Sequence, residues 1–439
     1  MSQFVSHSLE YPASLHSYYQ KLKHLPGFVL LESTDRTYGR YDILSAYPYD
    51  VLQIDQNSDL PLELKKINKI LSPKPPVTNL PFQGGAIGYV SYDLGARLVG
   101  IDSCPQPDLN DIPLLDFGLY DWALIVDHYQ NTVTLFAANT NTATLQIIDE
   151  VLELWHMTSE QSCDAIITSD FISLMRKDLY DEAFTSIHHF LKEGRSYQVN
   201  LTQPFHASYE GDTWAFYKQI CLRNPVPFAA YLKTSYADIL SFSPERFLLH
   251  EQGKLITSPI KGTMRRSSND MEDNVLKNQL LACEKNRAEN VMIVDLLRND
   301  LGKIAQSGSV LVDKLCEVQS YNSVHHLVST VEAMCLPNIS PFEAFLSCFP
   351  GGSITGAPKI ESMRIIHEQE CYARGVYCGS IGYFSRHGRF DTNIAIRTVT
   401  AKEKILHLAA GGGIVIDSDK EDEYRECYIK IAAIIDGFK

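Results

Sequence analysis

The sequence predicts an α+β protein, and three observations support that class. Helical and strand-like segments follow one another without the regular strand–helix–strand alternation of a doubly wound sheet. Both ends of the chain carry short strand-like segments, over residues 27–58 and within the last 60 residues. The 439 residues are 45% hydrophobic and 21% charged, ordinary values for a globular protein large enough to bury a layered core.

Residues 27–58 hold short strands, among them Gly27 to Leu31 and Val51 to Ile54. Residues 62–72 show helical spacing and end at Pro73, Pro75 and Pro76. Phe82 to Tyr89 reads as a glycine-kinked strand that another backbone approaches closely. Residues 142–157 form a helix, and the polar stretch Thr158 to Ser169 follows as a linker. It separates an N-terminal portion, 1–158, from a C-terminal portion, 172–435, the two interleaved in one large globular unit. Tyr180 to Lys192 is a helix stopping at Gly194, and residues 197–207 alternate as a strand. Met271 to Ile304 reads as one long helix, charged in its first half and apolar at Val291 to Val294. From residue 380 onward come three β segments and a closing helix from about Glu421.

A net charge of -14 argues against nucleic-acid binding, which needs a basic face. An anionic substrate must therefore meet a local cluster of donors, since the overall field repels it. The ten cysteines show no CxxC and no metal-ligand spacing, as expected of reduced thiols in a cytoplasmic protein. No signal sequence and no membrane span are expected.

Chemistry concentrates in the C-terminal portion. Ser243 to Phe247 and Ser258 to Thr263 place Glu245 and Lys261 on neighbouring arms of a tight hairpin. Burial would lower the lysine's pKa and raise the glutamate's, giving a nucleophile beside an acid. An exposed Lys–Glu ion pair is the plainer reading of the same spacing. Glu423 and Glu426 share a helix face with Lys430 one turn on, and Glu289 lies on an apolar helix. Such carboxylates either make surface ion pairs or converge on magnesium. Phe349 to Lys359 is a glycine-rich turn opening a helix, suited to an anion. It lacks the Lys-Ser/Thr of a Walker A loop, which disfavours a P-loop NTPase. Gly411-Gly412-Gly413 offers further backbone donors or merely a turn. Arg397 closes an apolar strand and needs a fork-shaped acceptor. His326 sits in an apolar segment, where a histidine is as readily a core residue as a ligand.

Taken together, SPERF, PIKGT, ENVMIVDLLRND, HHLVST, PGGSITGAPK, GYF, IAIRT, GGGIV and EYREC, in this order, resemble the chorismate-utilising enzymes. The resemblance is strong over most of 172–435 and weaker before it. It implies large antiparallel sheets packed face to face with helices outside. Lys261 is the feature of the branch that aminates chorismate at ring carbon 4, on the route to p-aminobenzoate and folate. Anthranilate and isochorismate synthases typically carry alanine there. By this resemblance Lys261 attacks ring carbon 2 as the 4-hydroxyl leaves, Glu245 protonates that hydroxyl, and ammonia then expels the lysine. Gln198 stands where isochorismate synthases have a lysine that activates water. The resemblance places Mg2+ among Glu289, Glu423 and Glu426. It assigns His326, Thr355, Gly356, Ala357, Tyr383, Arg397, Gly411, Gly412, Gly413 and Lys430 to substrate. Ser33, Tyr38, Arg40, Tyr41, Asn224, Pro225, Pro227 and Phe228 resemble the lining of a tryptophan pocket. No glutaminase nucleophile elbow is present, so ammonia is expected from a separate glutamine amidotransferase subunit. Anthranilate synthesis and a non-catalytic binding role are the competing readings. Lys261 opposes the first, and the full set of acid, nucleophile and ligands opposes the second.

Overall fold

The computed structural model describes residues 4–102, 104–157, 164–322 and 324–438, so Thr158 to Cys163 of the expected linker lie outside the described residues. Among these residues the strands form two antiparallel sheets, of thirteen and ten strands. Helices pack outside them, which is the α+β architecture expected.

Both sheets draw strands from both ends of the chain. In the larger sheet Val29–Glu32 pairs with Phe228–Lys233, Leu30 opposite Tyr231. In the smaller, Gly85–Val90 pairs with Ser380–Ser385, Ile87 opposite Tyr383. The glycine kink expected near Phe82 to Tyr89 has a clear cause: a Cβ at Gly88 would come within 1.9 Å of the Asp116 carbonyl oxygen. The principal apolar core takes residues from both sheets and from most helices, including Trp122, Trp155 and Trp214, all essentially solvent-free. Burial of this kind stabilises the fold by roughly 1.5–3 kcal/mol for each large apolar side chain.

Several sequence expectations change in detail. The helix expected over Met271 to Ile304 is two, Asp270–Ala282 and Glu284–Gly302, broken at Cys283, whose backbone is extended (ψ 104). The first turns Leu280 into a small cluster with Cys316 and Leu327, while the second buries Asn290, Ile293, Val294 and Leu297. Two packing surfaces require two helix axes. The glycine run Gly411 to Gly413 is no turn after a strand; it lies within the strand Ile405–Ile414, paired with Gln198–Gly211. The chain after residue 380 holds four strands rather than three, and the closing helix spans Lys420–Ile435.

Candidate active site

Glu245 and Lys261 flank the open end of one hairpin, whose arms Arg246–Glu251 and Lys254–Thr257 pair directly. The lysine is aimed by a bulge. On the strand Ile260–Arg265, Ile260 pairs with Val328 and Thr263 with His326, so Lys261 and Gly262 together stand opposite Leu327 alone. Gly262 has φ +83, a left-handed value that glycine adopts without strain. A Cβ there would also lie 2.8 Å from Asn286 Nδ2, so the glycine lets helix Glu284–Gly302 approach the bulge.

Burial decides the protonation of both groups. Among the described residues Lys261 Nζ hydrogen-bonds only to the Ser353 carbonyl oxygen, at 3.4 Å. Desolvation lowers its pKa, against the opposing pull of Glu289, Glu245 and Glu426. Glu245 is 5% exposed, and desolvation pushes it up to about 7 despite the lysine nearby. The Ile260 amide approaches its Oε1 at 3.5 Å. A carboxyl with a raised pKa near an amine with a lowered one is chemically able to act as a proton donor near a nucleophile.

Around this pair stand groups whose charge is unanswered. Arg397 sits at φ +51, half-buried, and no carboxylate pairs with its guanidinium among the described residues. Desolvation alone lowers its pKa. His326 donates to or accepts from Thr263 Oγ1 at 2.9 Å. Burial first, and then the Arg397 charge, hold His326 neutral by lowering it to about 4. The ladder from Ile405–Ile414 to its neighbour Thr398–Lys402 ends at Leu408, so beyond that point Gly411 to Gly413 border an open edge. Gly413 also makes room for Gln198. A Cβ there would lie 1.9 Å from Gln198 Nε2, and this solvent-free amide leaves both its heteroatoms unpartnered.

The glycine-rich segment forms a short 3₁₀ turn, Gly352–Ile354, then pairs Gly356 and Ala357 with Val199 and Gln198 before helix Lys359–Gln369. Gly356 has φ +142, and a Cβ would lie 2.0 Å from the Gln198 carbonyl oxygen. Thr355 turns its hydroxyl onto the Gly351 carbonyl at 3.0 Å and so braces the loop. Two residues not singled out from the sequence also hold it. Lys359 Nζ bonds to the Cys348 and Pro350 carbonyls at 2.7 and 2.8 Å and to buried Asp300 at 2.6 Å. Arg374 donates to the Ile354 and Asn200 carbonyls at 2.9 and 2.8 Å while paired with Glu370. Their only sequence signal was a charged residue next to small ones.

The acidic candidates face this centre from two helices. A Cβ at Gly412 would lie 2.7 Å from Glu423 Oε2 and 3.8 Å from Glu426 Oε1, so the glycine makes a cradle beneath both carboxylates. Desolvation raises the Glu423 pKa; Ser418 opposes that by hydrogen bonding, and the Glu426 charge adds to it. Lys430 Nζ bonds to Glu426 Oε1 at 2.6 Å and to the Gly411 carbonyl at 2.8 Å. Among the described residues no three His, Cys, Asp or Glu side chains are gathered tightly enough to hold a metal unaided. Hard carboxylate oxygens that fill only part of a shell fit magnesium, which keeps water and substrate oxygens as ligands.

Tyr383 does not join this group. Its hydroxyl accepts from Arg389 Nε at 3.0 Å, and it lines a separate cavity of about 950 Å³. Ser33, Tyr38, Arg40, Tyr41, Pro227 and Phe228 line the same cavity, whereas Asn224 and Pro225 do not. Asn224 instead ends helix Thr213–Arg223. Every described cysteine is a free thiol, and no helix of the described residues is long and apolar enough to cross a membrane.

Residues 27–436 match the family described as chorismate binding enzyme, and the chain belongs to that family. Within it, the chain is 41% identical over 435 residues to aminodeoxychorismate synthase component 1 of Escherichia coli (strain K12), covering 95% of this chain and 94% of the relative. It is 32% identical over 445 residues to anthranilate synthase component 1 of Acetivibrio thermocellus, covering 92% and 89%. Among solved structures it superposes on anthranilate synthase component I from Streptococcus pneumoniae TIGR4 with a TM-score of 0.81 at 29% identity, covering 91% and 93%. The menaquinone-specific isochorismate synthase of Escherichia coli shares the fold, with a TM-score of 0.78 at 16% identity and coverage of 100% and 94%.

Proposed function

We propose that this chain is the chorismate-aminating component of an aminodeoxychorismate synthase, making 4-amino-4-deoxychorismate from chorismate and ammonia. The observation that carries the reading is the pairing of half-buried Lys261 with buried Glu245, the glutamate pushed up to about 7. The lysine amine forms a bond to ring carbon 2, both ring double bonds shift by one position, and the bond from carbon 4 to its hydroxyl breaks. Glu245 gives its proton to that hydroxyl, which leaves as water. Ammonia then adds at carbon 4, both double bonds shift back and the bond from carbon 2 to the lysine breaks, the proton lost by the added nitrogen balancing the one the departing amine takes up, so two easier displacements replace one hard one. Arg397 and the open edge at Gly411 to Gly413 suit one carboxylate of the substrate, and the Gly356–Ala357 segment the other.

Glu289, Glu423 and Glu426 would hold Mg2+, which supplies positive charge against a dianionic substrate in an acidic protein. Ammonia would come from a separate glutamine amidotransferase subunit, in keeping with the component naming of the relatives. The 950 Å³ cavity at Ser33 and Phe228 would take tryptophan.

Mass spectrometry of products from the purified chain with chorismate, magnesium and ammonium tests the reading. Aminodeoxychorismate from the native chain, lost or replaced by another product in Lys261→Ala, is the expected result. Anthranilate and pyruvate from the native chain would overturn it.

A further inference from the structure

Helix Glu284–Gly302 lies against the strands Ile260–Arg265 and Val324–Met334, and buried Val294 of the helix and Val331 of the second strand belong to one apolar cluster. A polar pair lies in the same contact. Asn290 and Ser329 are both 0% exposed. The Ser329 hydroxyl donates to Asn290 Oδ1 and accepts from the Cys316 amide at 2.9 Å. Asn290 Nδ2 donates to the Leu327 carbonyl at 3.2 Å. The Ser329 amide donates to the Pro259 carbonyl, also at 3.2 Å.

The position of these bonds in the chain gives them their meaning. Asn290 directly follows Glu289, and Pro259 lies two residues before Lys261. A single serine therefore holds the nucleophile's strand through its amide and the glutamate's helix through its hydroxyl. Replacing both side chains with apolar groups removes their mutual bond at little cost, but it also takes one partner from the Cys316 amide and one from the Leu327 carbonyl. The pair restricts the helix to one register, since a slip along the strands would leave buried polar groups unpaired.

We propose that Asn290 and Ser329 are a positioning pair that fixes the separation of Glu289 from Lys261. One of its two readouts rests on the reading of Glu289 as a magnesium ligand; the other does not.

The test compares the native chain with Asn290→Leu/Ser329→Ala, Ser329→Thr and Glu289→Gln. Magnesium binding is measured by calorimetry without chorismate. Lys261 reactivity toward an amine-acylating reagent is followed against pH by peptide mass spectrometry. The charged groups facing Lys261 are Glu289 on the helix, Glu245 just before the strand Arg246–Glu251, and Glu426 and Lys430 on the closing helix. The Glu289 carboxylate favours the ammonium form, so its withdrawal moves the labelling midpoint to lower pH.

The double variant is expected to melt within about 4 °C of the native chain. It should bind magnesium about 10- to 100-fold more weakly, the usual cost of losing support behind a metal ligand. Its Lys261 midpoint should shift as in Glu289→Gln, while Ser329→Thr, which keeps the hydroxyl, should match the native chain in both readouts. Native magnesium affinity and native Lys261 labelling in the double variant would overturn the proposal, as would a melting point far below native, which would make the pair a requirement of folding. If Glu289→Gln leaves magnesium binding unchanged, the metal reading fails and Lys261 labelling alone decides.

Discussion

Glu245 and Arg246 are neighbours in the chain with different surroundings: Glu245 is buried near Lys261, whereas Arg246 lines the 950 Å³ cavity. On the Glu245 side, among the described residues, Lys261 hydrogen-bonds a carbonyl, Arg397 has no carboxylate partner and the neutral Gln198 amide is unpartnered, whereas Lys430 pairs with Glu426. On the Arg246 side each arginine lining the cavity is neutralised. Arg246 meets Asp391 through two bonds of 2.9 and 3.0 Å, Arg40 pairs with Asp127, and Arg389 with Glu251. His387 there is held neutral, lowered to about 4 chiefly by burial. Buried charge is costly unless paired, so a site that leaves charges unpaired is built for a charged ligand. A cavity whose charges are already balanced suits a ligand of no net charge. By this criterion the first region suits a charged ligand and the second a ligand of no net charge.

The comparison can be broken most sharply at Lys261. Replacing it with alanine should cut kcat for aminodeoxychorismate by about 10⁴-fold or more, as loss of a covalent nucleophile does. Steady-state assay with ammonium as nitrogen donor checks this, and a near-native kcat would remove the distinction between the two cavities.

Glu245→Gln should lower kcat by about 10²- to 10⁴-fold, the range for a lost general acid. The pH profile sharpens the point. Glu245 acts as the acid, so native kcat/KM should fall as pH rises through about 7, where the carboxyl loses its proton. That descending limb should vanish in the glutamine variant. A limb that persists would assign the acid elsewhere.

Arg397→Lys keeps the charge but not the fork, and should raise KM for chorismate about 10- to 100-fold with a smaller change in kcat. The smallest catalytic effect belongs to the balanced side. Arg246→Met alone leaves Asp391 half-buried and unpaired and should cost about 1.5–3 kcal/mol in urea unfolding. Arg246→Met/Asp391→Leu should recover most of that loss, because both partners go together. Neither variant should lower kcat as far as the substitutions facing Lys261, and a larger fall would mean that the two cavities are coupled through the strand they share.

Much of the site was legible because its parts lie close in the chain. Glu245 and Lys261 are the two ends of one hairpin, so local pairing suffices to bring them together. The bulge that aims Lys261 is written in Gly262, the residue best able to hold a left-handed backbone. Glu423, Glu426 and Lys430 share a face because helical periodicity requires it. The helix Lys177–Lys192 ends before Gly194, at φ +77, for the same local reason.

What the tertiary structure decided is everything that depends on partners distant in sequence. The break at Cys283 follows from two packing surfaces supplied by residues 316 and 327–329, which the helix's own periodicity cannot report. Tyr383 alternates along a strand like its neighbours, and only the pairing of that strand with Gly85–Val90 and Phe390–Asn393 turns it to the cavity of Arg389. Gly411 to Gly413 become an open edge because the neighbouring strand stops short, opposite Leu408. Local sequence set the turns, caps and side-chain alternation, since these depend on backbone sterics within a few residues. The sheet order settled which face meets which cavity, since that depends on pairings made across hundreds of residues.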